Sequence, residues 1–317
     1  MAARKPPPGS PGAVSYSRTR RQGEVLIPRE KPDLPNIQVI GLCRFCYLGE
    51  GGFQSYAEET IEHRRSVLYE PQRLELRLIW FAHVLLPALR AQKDQDFTLV
   101  ILTGQDLPQP FRDRLEELSA TLPQARLAFR PPGPHRQVCA EVIRGVTLPD
   151  ADVVAQFRLD DDDAVATDYV ATIRRDFHAL SGIFAESSRL AVDYNLGVLL
   201  HDDGQALAGH IQRSAFWSCA LTLYLAPGDP MQLLDFPHHR IWQQMPTLTR
   251  SGRPMFVRGS HGFNDSRIRL PSADGWTARA RVEQLLQTRF NIDLAAFEAE
   301  LARYRDRFGL NARGASS

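Results

Sequence analysis

Cysteine is scarce in this sequence. Four residues, Cys43, Cys46, Cys139 and Cys219, are too few to cross-link a chain of 317 and suit a reducing compartment. Long apolar runs are missing too. The most apolar stretch, "LIWFAHVLLPAL", falls short of the roughly 18–20 residues of a membrane span and contains His83 and Pro87. Net charge is nearly absent: at +1 the chain has no global attraction for nucleic acid, so a charged ligand must be met by local clusters. The opening "MAARKPPPGSPGAVSYSRTRRQGEVLIPREKPD" is basic but has no apolar centre, unlike a secretory signal peptide, and a cytoplasmic location is expected.

Familiar nucleotide and metal signatures are also lacking. A dinucleotide fingerprint at "GEGGFQ" would need glycine at position 54, which is Gln54, and no Gly-Lys-Ser or Gly-Lys-Thr supplies a Walker loop. Cys43 and Cys46 form a C-x-x-C without a second pair to complete a zinc site, so they read as small buried residues flanking Arg44. An EF-hand starting at the aspartates fails, because Val165 and Ala171 stand where glycine and glutamate are required.

What is present is an alternating pattern. Residues 1–35, rich in Pro and Arg, read as a flexible tail; 36–275 read as one α/β domain, and 276–317 as a C-terminal helical extension packed on it. "IQVIGLC", "FTLVILTG", "ARLAFR" and "DVVAQFRL" read as strands. The helical spacings of "PQRLELRLIWFAHVLLPALRAQ", "QPFRDRLEELSAT" and "HRQVCAEVIRGV" alternate with them. That order predicts a mainly parallel sheet flanked by helices, with ligands at the carboxyl ends of its strands. Further strands are expected at "RLAVDYN", "GVLLH", "SCALTLYLA" and "PMFVRG", with a helix from about His238 to Leu248 and two more helices at the end.

The densest charge lies at such a strand end, in "QFRLDDDDAVATDYV". Helix capping would use one or two carboxylates, not four, and like charges so close are tolerated best around something positive. Carboxylate oxygens suit Mn2+ or Mg2+, which proteins usually hold with one or two side chains while substrate phosphates complete the shell. His261, after the last strand, is placed to return to such an ion as a neutral imidazole. Arg44, straight after the first strand, is placed to meet a ligand anion.

"RFCYLGEGGFQ", "FTLVILTG", "RLDDDD" and "HGFND" resemble the bacterial rhamnosyltransferase family of GT-A-fold glycosyltransferases, over roughly residues 37–270. The resemblance implies a GT-A-like sheet and an Asp-x-Asp motif at Asp160 and Asp162, with Asp160 near the ribose and metal and Asp162 on the metal. Asp161 and Asp163 fit equally well, since a run of four leaves the frame open. It implies further that Arg44 and Phe45 border the nucleotide and that Arg136 meets the diphosphate. A carboxylate base is expected in "LLDFPHHRIWQQM", with Asp235 first and His238 second. The implied activity is metal-dependent transfer of a sugar, rhamnose or a related deoxysugar. The donor would be a nucleotide sugar, dTDP-rhamnose or a UDP-sugar, and the acceptor a polysaccharide or glycolipid. Membrane contact would be peripheral at most, at the inner face, and nucleic acid is not an expected partner. The rivals are a metal-dependent nucleotidyltransferase or phosphohydrolase, and a non-catalytic sugar-nucleotide or polysaccharide-binding module.

Overall fold

Strand β1, Ile37–Arg44, is buried until its last residue. It is followed by the two-residue strand β2, Gly49–Glu50, and by helix α1, Ile61–Leu68, which Thr60 caps by accepting from the His63 N–H. Helix α2, Pro71–Trp80, opens on Glu70, whose carboxylate accepts from the N–H groups of Gln72 and Arg73. It runs through a π turn, Phe81–Leu85, into α3, Leu86–Arg90. Pro87 explains the widened turn: it has no N–H for the His83 carbonyl, and its ring would press on that group in a regular helix. The helix expected over 71–92 is thus one helical stretch with a bulge.

The alternation continues with β3, Thr98–Gly104, α4, Gln109–Ala120, β4, Ala125–Arg130, β5, Gly133–Pro134, α5, His135–Arg144, and β6, Val153–Asp160. Beyond the aspartates come β7, Ala164–Val165, α6, Tyr169–Ser187, β8, Arg189–Tyr194, β9, Leu196–Asp202, and β10, Leu207–Arg213. Then follow β11, Leu221–Leu225, β12, Thr247–Arg250, β13, Phe256–Ser260, α7, Arg279–Phe290, and α8, Leu294–Arg307. This computed structural model describes residues 35–51, 60–264 and 268–310. Residues 1–34 of the expected tail, the positions Gly52 to Gln54 of the glycine loop, and Asp265 of "HGFND" lie outside those residues.

The central sheet has the order β12-β8-β11-β6-β1-β3-β4, with β11 alone running against the rest, so the mainly parallel α/β expectation holds. Side chains alternate along β6. Val153, Ala155, Phe157 and Leu159 enter the core shared with α2 and α6, while Val154 packs with Cys139 and Val142 of α5. A second sheet, β10-β9-β13-β7, stands beyond the carboxyl edge of the first. β7 pairs with β13, Val165 opposite Phe256, and this pins the chain just after the aspartates.

Two expectations change. The helix expected from His238 to Leu248 is a 3-10 segment, His238–Gln243, broken in backbone conformation at Arg240 and followed by β12. Pro246 disfavours helix at Met245, and Thr247–Arg250 finds a parallel partner in β8. β10, unexpected from its polar sequence, forms a hairpin with β9. The last helix, α8, packs on α2: Phe297 meets Trp80 edge to face at 4.8 Å, and the Tyr304 hydroxyl donates to the Gln72 carbonyl. No helix among the described residues is long and apolar enough to cross a membrane.

Candidate functional site

β1 and β6 lie side by side in parallel, and their last residues, Arg44 and Asp160, stand opposite each other. The pairing therefore sets a guanidinium against a carboxylate: Arg44 Nη2 donates to Asp160 Oδ1 at 2.5 Å. Arg44 Nη1 also lies 3.2 Å from Nε2 of His135, the first residue of α5. His135 lines a cavity of about 560 Å³ with Glu50, Gly51, Arg136, Arg144 and Asp235.

Each of the next three aspartates has its own partners. Asp161 turns into the core and pairs with Arg77 of α2, whose other amino group donates to the Phe263 carbonyl, as does Arg73. Asp162 accepts from Asn264 Nδ2 at 2.6 Å and lies 3.2 Å from His261 Nε2. Asp163 accepts from the Gly259 N–H at 3.2 Å. Since His261 Nδ1 accepts from the Phe263 N–H, a neutral His261 carries its proton on Nε2, facing Asp162.

The four carboxyls differ in charge as well as position. Burial opposes ionisation at Asp160, but Arg44 and Arg158 outweigh it and pull the group below the usual carboxylate range. At Asp162 burial is likewise outweighed, first by the hydrogen bond with His261 and then by Arg77. Asp161 goes the other way, raised to about 7 by burial with Arg77 opposing, and burial with Asp162 drives Asp163 well above its normal value. The even pair is held anionic. Asp160 is also the most open of the run, its side chain 30% exposed against 0% for Asp161.

Cations surround the cluster. Burial pushes Arg158 down to about 10, Arg44 adding to the effect, and its Nε is buried without a hydrogen-bond partner. Arg258 is a further cation beside the run, its guanidinium 5.0 Å above the Trp217 ring. Near them, His238 Nδ1 is 2.6 Å from the Phe216 carbonyl, which only accepts, so Nδ1 carries the proton and Nε2 keeps its lone pair. Burial pushes His238 below the normal imidazole range. Phe216, at φ 59°, is fixed on its other side by donating its N–H to the buried carboxyl of Asp193 at 3.0 Å.

The expected site residues thus separate. Arg44, Asp160, Asp162 and His261 gather at the edge of the two sheets, and Arg136 is exposed on the cavity wall. Phe45 is corrected: it is 0% exposed and packed edge to face on Phe81, in the core rather than beside a ligand. Asp235 lines the cavity, but one carboxylate oxygen accepts from the Gln232 N–H and closes a short turn. Arg73, Arg77, Arg158, Arg258, Asn264 and His135 were missed. For Arg73 and Arg77 a signal existed, since two arginines four apart interrupt the wide apolar face of α2.

Among the described residues no three carboxylate, imidazole or thiol groups converge to hold a metal by themselves. Asp161 Oδ2 is nevertheless buried there without a hydrogen-bond partner. The donor set therefore fits a divalent ion held by one or two side chains and completed by substrate oxygens, not an all-protein cage.

Backbone contact is as tight as the charge pairing. A Cβ on Gly259 would lie 2.4 Å from the Asp162 carbonyl oxygen and 2.7 Å from its Cβ. Gly259→Ala should lower stability by about 1–3 kcal/mol and displace Asp162. Gly262→Ala, where the added carbon meets nothing within 4 Å, should melt like the wild type. Equal melting temperatures for both variants would refute the packing account.

Residues 38–272 match the family described as "Putative rhamnosyl transferase". The chain belongs to that family. Among solved structures it is similar to S. aureus TarS residues 1–349 in complex with UDP, at 10% identity and a TM-score of 0.35, covering 88% of this chain and 73% of that one. It is also similar to 4-diphosphocytidyl-2C-methyl-D-erythritol synthase from Anaerococcus prevotii, at 9% identity and a TM-score of 0.28, covering 75% and 92%. No curated protein matches the chain. Family membership makes it a glycosyltransferase.

Proposed function

We propose that this glycosyltransferase moves a sugar, rhamnose or a related deoxysugar, from a nucleoside diphosphate donor to a hydroxyl of a polysaccharide or glycolipid. The observation that carries this reading is the facing of Arg44 and Asp160 at adjacent parallel strand ends, beside the cavity and with the second anion, Asp162, close behind. Asp160 and Asp162 would hold Mn2+ or Mg2+, which neutralises the leaving diphosphate when bound, while His261, with its proton on Nε2 toward Asp162, would position that carboxylate rather than ligate the ion. Arg44 and Arg158 add positive charge on the same side, and Arg136 reaches the cavity from the first turn of α5. The base role goes to His238 rather than Asp235, because its Nε2 lone pair is free while Asp235 is engaged in its turn.

The test is incubation with a panel of dTDP- and UDP-sugars, Mn2+ and candidate acceptors, with free nucleoside diphosphate as readout. Release that depends on both one donor and an acceptor supports transfer. Turnover of nucleoside triphosphate with a sugar phosphate instead would make the chain a nucleotidyltransferase. Arg44→Ala should raise the Kd for the nucleoside diphosphate about tenfold or more, and leave the Kd for the nucleoside nearly unchanged, because a charge-assisted contact contributes about 1.5–3 kcal/mol. Equal weakening of both would move the phosphate contact to Arg136 or Arg158.

A further inference from the structure

A second cavity, of about 540 Å³, lies on the other face of the central sheet. Tyr194, on its wall, packs on Tyr169 of α6 with ring centroids 5.6 Å apart, whereas the face of β6 that carries Arg158 and Asp160 looks toward α5. This cavity is built around a polar ridge on α6, whose other buried residues, Tyr169, Val170, Ile173 and Phe177, are apolar or aromatic. Asp168, Thr172 and Asp176, each four residues apart, are buried and face the connection between β12 and β13.

That connection supplies arginines to the ridge. Arg250 Nε donates to Asp176 at 2.7 Å; Arg253 meets Asp168 at 2.9 Å through one amino group and donates to Thr172 at 3.0 Å through the other. Tyr194 donates its hydroxyl to Asp176, Arg175 stands 3.8 Å from the same carboxylate, and Arg289 forks onto Asp168. Four guanidiniums, Arg175, Arg250, Arg253 and Arg289, therefore share two carboxylates, Asp168 and Asp176, an excess of two positive charges (4 − 2). Neutralising the buried acids needs only half of them. Arg175, Arg250 and Arg253 remain 62%, 43% and 44% exposed at the cavity wall. Buried carboxylates fix how they are presented, and a preset guanidinium fork matches a phosphate group.

We infer that this cavity is a phosphate-binding site, separate from the transfer site, which takes a phosphate monoester or diphosphate group of a ligand of sugar-phosphate size. The shared chemistry is the phosphate dianion; its carrier is a soluble metabolite or a phospholipid headgroup.

The test is titration of the full chain with inorganic pyrophosphate. Arg175→Gln, whose side chain makes only the long contact, and Arg250→Lys, which keeps a cation for Asp176, should each weaken one class of sites by about tenfold or more. Arg44→Ala should leave that class untouched, which separates this site from the transfer site whether or not the chain proves to use a nucleotide sugar. Wild-type isotherms in Arg175→Gln and Arg250→Lys proteins that melt normally would overturn the inference. Co-sedimentation with phosphatidic acid vesicles, lost in Arg175→Gln, would support a lipid source. Pyrophosphate binding without co-sedimentation would support a soluble one.

Discussion

Asp162→Asn is expected to reduce sugar transfer by about 10²–10³ while the protein still folds, and Asp163→Asn is expected to retain most of the rate. The magnitude is that of removing one preorganised charge from a site where charge develops. The contrast between neighbours follows from their surroundings. Asp162 is held as a carboxylate by Asn264 and His261, so the amide removes a charge that is present. Asp163 is driven well above its normal range by burial, so an amide closely imitates its neutral form and can still accept from the Gly259 N–H. Initial rates at saturating donor, with circular dichroism as the folding control, decide the matter. A severe Asp163→Asn defect beside a mild Asp162→Asn one would move the working pair to Asp161 and Asp163.

The same neighbours show what the sequence could reveal. β1 and β6 were visible as apolar runs ending in charge, and once they are adjacent parallel strands the meeting of Arg44 with Asp160 follows from their register. His261 beside Asp162 was also within reach, because the last strand must return to the same edge of the fold. The frame of the aspartate run was not. It depends on Arg77, 84 residues from Asp161 in sequence, and on Asn264, 102 residues from Asp162. Local pattern carries no information on such pairings. The helix expected after His238 failed for a different reason: Pro246 was a readable stop signal, but strand pairing to β8, which decides Thr247–Arg250, is a tertiary effect. Phe45 was placed beside a ligand because the loop after β1 resembles its family's, although an aromatic one residue past a buried strand has the core within reach.

His238→Gln should cost about 10²–10⁴ in kcat, the usual contribution of a positioned general base, and should also change the shape of the pH profile. His238 must be neutral to accept the acceptor hydroxyl's proton at Nε2. Burial, with Arg158 adding to it, lowers its pKa from 6.5, so the working form already dominates at neutral pH. The wild-type rate should therefore rise with pH on an acid limb below 6.5 and level off above it. Stability moves in the same direction: the unfolded chain binds this proton more readily, so the contribution of His238 is full above 6.5 and is lost as pH falls through the lowered value. Rate and stability are separated by measuring both across the limb. In His238→Gln the rate limb should vanish, while Asp235→Asn, which disturbs only a turn hydrogen bond, should keep it. The opposite result, a lost limb in Asp235→Asn and an intact one in His238→Gln, would give the base role to the carboxylate. Asp193→Asn supplies the last discrimination. Its amide oxygen can still accept from the Phe216 N–H, so the Phe216 carbonyl keeps its grip on His238 Nδ1 and the limb survives, whereas Asp193→Leu frees that peptide and should lower kcat with little change in KM.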